Sequence, residues 1–383
     1  MEIAKGIGRL FMNPLLYVAI LFCILIGYRR VINERKSFNR RIHWGMYEAV
    51  YLLKEGWAMA LIFSLISIIV GIVLPVEYIV LVTLVMLVGV ISFYYHLASA
   101  AYGFAVAFIA IWLTYMYDWS WSILGWQFDA TVMHKNLLIS VPLIIALVLL
   151  IEGQLVRKYA ANNASPRLQT TARGLRAVTY LSKRIWILPV VFFIPGGAIP
   201  DWAPFWPQLS LGGETYGLVL FPVVIGFQQR ARKMLAKAFY PQVGATIQLL
   251  GVLVLIEAIL AIFFPIMGIA AVAVAFVGRA LISIIYSVRE RKGQFAVTPQ
   301  DAGVVVAAVL PESPAEAMGI EVGEIIRRVN GIPVKTETEL YEALQINAAH
   351  CRIEVLDAQN EIRIRQHVIF RHDHFRIGLI VLK

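Results

Sequence analysis

The sequence predicts an α-helical polytopic membrane domain followed by a small β-rich α+β domain. Three observations carry this. Of the 383 residues, 60% are hydrophobic and 15% charged, with a mean hydropathy of +0.74. A soluble globular protein is about half apolar and a quarter charged, so the excess belongs in lipid. Second, the apolar residues up to Tyr286 come in runs near the roughly 20 residues a helix needs to cross the hydrocarbon core. Third, from Val297 the runs shorten and alternate. Charge divides at the same place: 25 Lys and Arg against 12 Asp and Glu up to Ala296, then 9 against 12. A basic apolar body with a slightly acidic tail points to a membrane protein and away from a nucleic-acid binder. Two cysteines, Cys23 and Cys351, build neither a disulfide framework nor a zinc site.

The predicted spans are Phe11–Gly27, Trp57–Leu74, Tyr78–Tyr95, Leu97–Tyr117, Asn136–Ile151, Gly244–Phe264 and Ile266–Tyr286. Two weaker runs, Ile185–Ile199 and Tyr216–Phe227, are interrupted by Pro189, Pro195 and Pro222 and flank a loop rich in Trp and Pro. They read as two tilted spans or one re-entrant pair, since irregular backbone at membrane depth needs protein cover. The expectation is nine spans within residues 1–296, with seven as the alternative. Because the weak runs come as a pair, either count leaves the rest of the topology the same.

Orientation follows the Lys and Arg residues. Tyr28–Arg41 carries six bases and one acid, and Gln154–Lys183 six bases and no acid. Arg230, Arg232, Lys233 and Lys237, then Arg289, Arg291 and Lys292, follow. Threading the spans puts every cluster on one side, which makes that side cytoplasmic, the N-terminus external and residues 297–383 cytoplasmic. Lys5, Arg9 and Lys135 are nearly alone on the other. The basic block follows the first span and no A-x-A-like site is visible, so that span reads as a retained anchor, not a cleaved signal. Trp119, Trp121, Trp126, Trp202 and Trp206 fall in outer loops and read as an interfacial belt.

Glu257 and Arg279 lie within the last two spans, and ionisable residues at that depth are functional candidates. Their depths differ by about 9 Å at 1.5 Å per residue, and Arg279 can snorkel toward the headgroups. This geometry favours a structural or pairing role over a proton or ion pathway. Ala271, Ala275 and Gly278 have the small-residue spacing of close helix packing. The chain lacks H-E-x-x-H, G-x-S-x-G, a P-loop and G-x-G-x-x-G, so neither an enzyme nor a cofactor is expected. His372-Asp-His374 lacks further ligands at zinc spacing and reads as a solvated turn.

In the tail, Val304–Leu310 and Ile325–Val329 read as strands. Ser313-Pro-Ala-Glu316 is a capping box that opens a short helix, which Gly319 ends. Asn330-Gly331 is a turn, and Thr336-x-x-Glu339 caps a second helix to about Ile346. Arg352–Leu356 and Glu361–His367 form a hairpin around Ala358–Asn360, and Phe375–Leu382 is a last strand. The order of elements, with S-P-A-x-x-x-G-x-x-x-G-E-x-I followed by V-N-G, resembles a bacterial PDZ domain of the permuted type over essentially all of residues 297–383. In that family a partner's extended segment adds a strand to the sheet edge, and backbone N–H groups capture a terminal carboxylate. The resemblance implies a carboxylate loop at Phe375-Arg376-Ile377-Gly378-Leu379, with Tyr341 and Leu344 on the opposite helical wall. Read from alternation alone, Phe375, Ile377 and Leu379 are equally a core strand.

Many spans before one cytoplasmic PDZ domain, without a catalytic motif, resemble the MinJ-like family of cell-division topological determinants. The resemblance implies a membrane adaptor at septum and poles. Such an adaptor bridges a DivIVA-type curvature-sensing scaffold and a MinD-type division inhibitor. A PDZ-containing regulatory subunit of a membrane protease and a transporter-like protein using Glu257 and Arg279 remain the alternatives.

Overall fold

The computed structural model describes residues 2–133, 136–171, 173–200, 215–346, 350–357, 359–368 and 377–382. Each of the seven strong apolar runs falls on a helix. A short helix α1 (Glu2–Met12) precedes α2 (Pro14–Phe38), whose start is capped by Asn13 accepting the Leu15 N–H at 2.9 Å. Then come α3 (Tyr47–Lys54), α4 (Trp57–Val70), α5 (Val76–Ile91) and α6 (Ala100–Tyr117). A small hairpin, β1 (Trp121–Ile123) and β2 (Trp126–Phe128), leads to α7 (Leu137–Tyr159). Three strands follow, β3 (Ser165–Thr170), β4 (Arg176–Pro200) and β5 (Thr215–Ala231), and then α8 (Ala236–Leu260) and α9 (Ile266–Arg291). Among the described residues six helices are long and apolar enough to cross a membrane, counting α3 and α4 as one 24-residue unit; α5 is shorter. Leu61, Leu65 and Ile69 of α4 and Leu249 and Ile256 of α8 are exposed, an apolar outer face suited to lipid contact.

The two proline-interrupted runs are not helices. They are most of β4 and β5, paired antiparallel from Tyr180↔Ala231 to Pro195↔Tyr216. The physical reason lies in their composition, since Ile, Val and Phe recur in both, and β-branched and aromatic residues favour extended backbone. Pro189 faces Pro222 across the ladder. The N–H of Val191 and both backbone groups of Phe193 point away from β5, so Pro189, two and four positions earlier, occupies a site needing no ladder donor.

This hairpin runs inside the helical body. Trp186, Ile187, Leu188, Val190 and Phe192 on β4, and Val223, Val224, Ile225 and Phe227 on β5, are fully buried. A strand among apolar helices must find partners for its outer edge. Phe193 N–H donates to the Ile72 carbonyl at 2.9 Å and its carbonyl accepts from Leu74 N–H at 2.8 Å. Gly226 N–H meets the Ala98 carbonyl at 2.9 Å, and Val191 N–H meets Ser64 Oγ at 3.2 Å. Helix α7 packs on α8 through glycines: a Cβ on Gly153 would lie 2.6 Å from the Gly244 carbonyl oxygen. Ala271 and Ala275 of α9 are fully buried, as their spacing predicts.

The C-terminal domain has its own core, including Val306, Ile326, Leu340, Cys351 and Ile353. Its elements are β6 (Val304–Val309), α10 (Pro314–Ala317), β7 (Ile325–Val329), β8 (Ile332–Pro333), α11 (Glu337–Gln345), β9 (His350–Leu356), β10 (Ile362–Val368) and β11 (Leu379–Val381). The sheet order is β10-β9-β7-β6-β11, with β8 on β7. Both capping boxes form. Ser313 Oγ accepts from Glu316 N–H at 3.3 Å while the Glu316 carboxylate accepts from Glu312 N–H at 2.7 Å. Thr336 Oγ1 and Glu339 act likewise on α11. Asn330, at φ 52° in its turn, bonds Arg352 N–H through Oδ1 at 3.0 Å and the Ala343 carbonyl through Nδ2 at 3.1 Å. One side chain thereby locks α11 against β9.

The domain is joined to the helical body by backbone and side chain together. Val178 N–H donates to the Val297 carbonyl at 3.0 Å, Tyr180 Oη to the Ala307 carbonyl at 2.8 Å, and Lys237 pairs with Glu321 at 3.0 Å. Of the outer tryptophans, Trp121 stacks on Phe128 at 4.2 Å between ring centres, and Trp119 and Trp126 are exposed. Trp202, Trp206 and His372–His374 lie outside the described residues.

Candidate functional site

Strand β11 ends the sheet and pairs with β6 through Leu379↔Val309, Ile380↔Ala308 and Val381↔Val306. Among the described residues no strand lies along its other edge, which is the edge a peptide strand would extend. Gly378, just before it, has φ +84°, and a Cβ there would sit 2.1 Å from Ser313 Cβ. Only glycine fits. Its carbonyl accepts Leu310 N–H at 2.8 Å, and the Ile377 carbonyl accepts Ala315 N–H at 2.9 Å. The loop is thereby pinned to the start of α10, which fixes the direction in which β11 leaves it.

The predicted site residues divide. Ile377, Leu379 and Leu344 are buried in the domain core, so their side chains hold the groove's walls together from behind. Tyr341 of α11 is half-buried and lines a cavity of about 370 Å³ with the backbone side of β11. Gly378 supplies the close approach. Phe375 and Arg376 lie outside the described residues. The third wall was not foreseen: it is the end of α2 and the two residues after it, Lys36–Arg40, together with Leu168 and Arg176 from β3 and β4. Arg40 stands over the Tyr341 ring at 6.0 Å. Lys36, Arg40 and Arg176 meet one lining acid, Glu337, so the cavity is basic.

The other face of β11 explains the proximity. Ile377, Leu379 and Val381 point into the C-terminal core, whereas Ile380 and Leu382 belong to the core of the helical body. One strand is shared by two hydrophobic interiors. Cys351 lies under the sheet, where burial pushes its thiol up to about 12, so it is a packing residue.

The intramembrane polar residues also part company. Arg279 is 1% exposed and donates through Nε and Nη2 to Glu152 Oε1 of α7 at 3.0 and 2.6 Å. Its Nη1 reaches Ser283 Oγ at 2.5 Å, and Glu152 Oε2 accepts from Ser99 Oγ at 2.6 Å. Glu257 takes no part in this set; it is half-buried, with one carboxylate oxygen shielded and unbonded. Glu152 escaped sequence reasoning because it stands one residue past the apolar run, while the helix continues to Tyr159. A second buried network was also missed. Arg30 pairs with Glu34 and Glu48, Arg184 with Glu55, and Glu55 accepts from Trp186 Nε1 at 2.6 Å. His43 stacks on Tyr47 at 4.1 Å beside it. Burial first, then the Arg30 and Arg184 charges, pull the imidazole down to about 4.

Comparison with known proteins agrees with both parts. The PDZ domain family matches residues 305–356. Over 382 residues the chain is 27% identical to the cell division topological determinant MinJ of Bacillus subtilis (strain 168), covering 100% of this chain and 95% of that one. It is 22% identical over 227 residues to the probable cell division topological determinant MinJ of Lacticaseibacillus paracasei, covering 57% and 58%. The protein of Lacticaseibacillus casei (strain BD-II) matches to the same extent. The chain is thus similar to MinJ from end to end, and its C-terminal part is a PDZ domain on a helical, MinJ-like body.

Proposed function

We propose that this protein is a membrane-embedded adaptor for division-site placement, and not an enzyme. Residues 1–296 anchor it and residues 297–383 present a peptide-gripping PDZ domain at the cytoplasmic face. The observation that carries this reading is the full-length similarity to MinJ. The open edge of β11 beside a basic cavity supports it. The helices confine the domain to two dimensions, which raises its effective concentration for membrane-bound partners. The partners are a DivIVA-type scaffold and a MinD-type inhibitor, placing the protein at septum and poles. Lys36, Arg40 and Arg176 favour an acidic peptide segment or a free carboxylate in the groove.

The topology follows from the same parity as before. Counting α5, seven helices cross, and the β4–β5 hairpin enters and leaves from one side. With the basic clusters inside, as the Lys and Arg distribution favours, the N-terminus lies outside. The Glu152–Arg279 set, in which the hydrogen-bonding oxygens and nitrogens satisfy one another, supports a structural role over a transport pathway.

The experiment is capture by the full-length protein in detergent, paired with a fluorescent fusion in cells. Recovery of a MinD-type protein, weakened in R40E/R176E, with fluorescence at septum and poles, is expected. Uniform envelope fluorescence and recovery of a protease subunit in place of division proteins would overturn the adaptor reading.

A further inference from the structure

A lateral cleft of about 670 Å³ lies between α5, α6 and α9, lined by Val85 and Val88, by Val106, and by Phe276, Ala280 and Ile284 among others. Its walls are overwhelmingly apolar. Beside one end lies a basin of about 400 Å³ whose lining includes Arg230, Arg232 and Arg291. His96, Gln228, Gln229, Ser287 and Arg291 border both spaces, so the two adjoin.

The charge of the basin is unbalanced. Its one carboxylate, Glu290, is occupied by backbone: Oε2 accepts from Arg232 N–H at 2.6 Å and Lys233 N–H at 2.7 Å. Among the described residues none of the three guanidinium groups makes an ion pair. Arg232 is held in place by the Arg291 carbonyl at 3.0 Å and by the Phe295 ring at 4.0 Å. Gln228 Oε1, at the junction, is shielded and without a donor.

Length fits as well. The cleft follows α9 from Phe276 to Val288. Those twelve steps rise about 18 Å, close to one leaflet's half of a roughly 30 Å hydrocarbon core. Arg291 comes one turn beyond, at headgroup depth.

We propose that this composite cleft binds an anionic glycerophospholipid, its acyl chain between α5, α6 and α9 and its phosphate against Arg230, Arg232 and Arg291. A neutral annular lipid would fill the apolar part equally well, but only an anionic one compensates the basin. Gln228 Oε1 offers an acceptor to a headgroup hydroxyl, which makes phosphatidylglycerol the natural probe. The PDZ groove plays no part in this site.

The test is native mass spectrometry of the full-length protein, offered equimolar phosphatidylglycerol and phosphatidylcholine with the same acyl chains. Preferential retention of phosphatidylglycerol is expected. Arg230 and Arg291 are exposed, so R230Q/R291Q leaves folding intact and should lower the preference about tenfold or more. A280F, which narrows the apolar part, should lower retention of both lipids, with R230Q/R291Q as the independent check should A280F fail to fold. Equal retention of the two lipids, an unchanged preference in R230Q/R291Q, or displacement of the lipid by soluble glycerol phosphate at equal concentration would overturn the assignment.

Discussion

Arg279 of α9 grips a single carboxylate oxygen of Glu152 on α7 with two of its nitrogens, at 2.6 and 3.0 Å, and both side chains are all but fully buried. The pair ties two helices together out of contact with the protein surface.

Removing one partner leaves the other charge stranded in an apolar interior. R279L or E152L alone is expected to destabilise the protein by about 3–5 kcal/mol, and the double substitution by clearly less than the sum. Thermal unfolding in detergent, run as a double-mutant cycle, checks this; additive losses would mean that the pair is not coupled.

The β4–β5 hairpin makes a direct chemical prediction. Pro189 and Pro222 face each other at a non-hydrogen-bonded position, where Cα atoms of antiparallel strands lie about 4.5 Å apart, within disulfide range. P189C/P222C, in a chain with Cys23 and Cys351 replaced by alanine, is expected to crosslink on mild oxidation. P189C with V223C, one register off, should crosslink poorly. Equal yields would argue against the register.

Gly378→Ala tests the groove loop. The added Cβ meets Ser313 Cβ at 2.1 Å and must adopt φ +84°. A loss of about 1–3 kcal/mol from backbone strain alone is expected. It should appear as faster proteolysis within residues 297–383 of the full-length protein while the helical body stays resistant. Unchanged cleavage would remove the loop from its pinned position.

His43 sets a pH dependence. Its imidazole is held near 4 in the folded protein against about 6.5 when unfolded. The unfolded chain therefore takes up a proton that the folded one refuses. Stability is full above about pH 6.5 and falls as pH drops toward 4. H43N lacks that proton site, so its melting temperature should fall less between pH 7 and pH 5 than that of the parent chain. Parallel losses in the two proteins would show that His43 does not carry the effect.

Much of the PDZ domain was readable because its signals are local. Ser313, Thr336 and the Asn330-Gly331 turn each fix a boundary through a short-range hydrogen bond, and each does so in the structure. The strong apolar runs were readable because length in lipid leaves few choices. Ile185–Ile199 was not. A continuous apolar run fits a buried strand as well as a buried helix, and the deciding partners, Ile72 and Leu74, are about 120 residues away from Phe193. The spacing of Pro189 and Pro195, an even number apart and hence on one strand edge, was the available clue. Glu152 and the α2 wall of the groove are long-range facts with no local signature.

Because that wall is built at the end of a helix long and apolar enough to cross the bilayer, the proposed occupancy of the groove and the tilt of α2 would form one linked equilibrium. On the proposed adaptor reading, a lateral force that shifts Arg40 relative to Tyr341 alters how tightly a guest strand is held. Reciprocity then requires the guest to resist the shift by the same free energy.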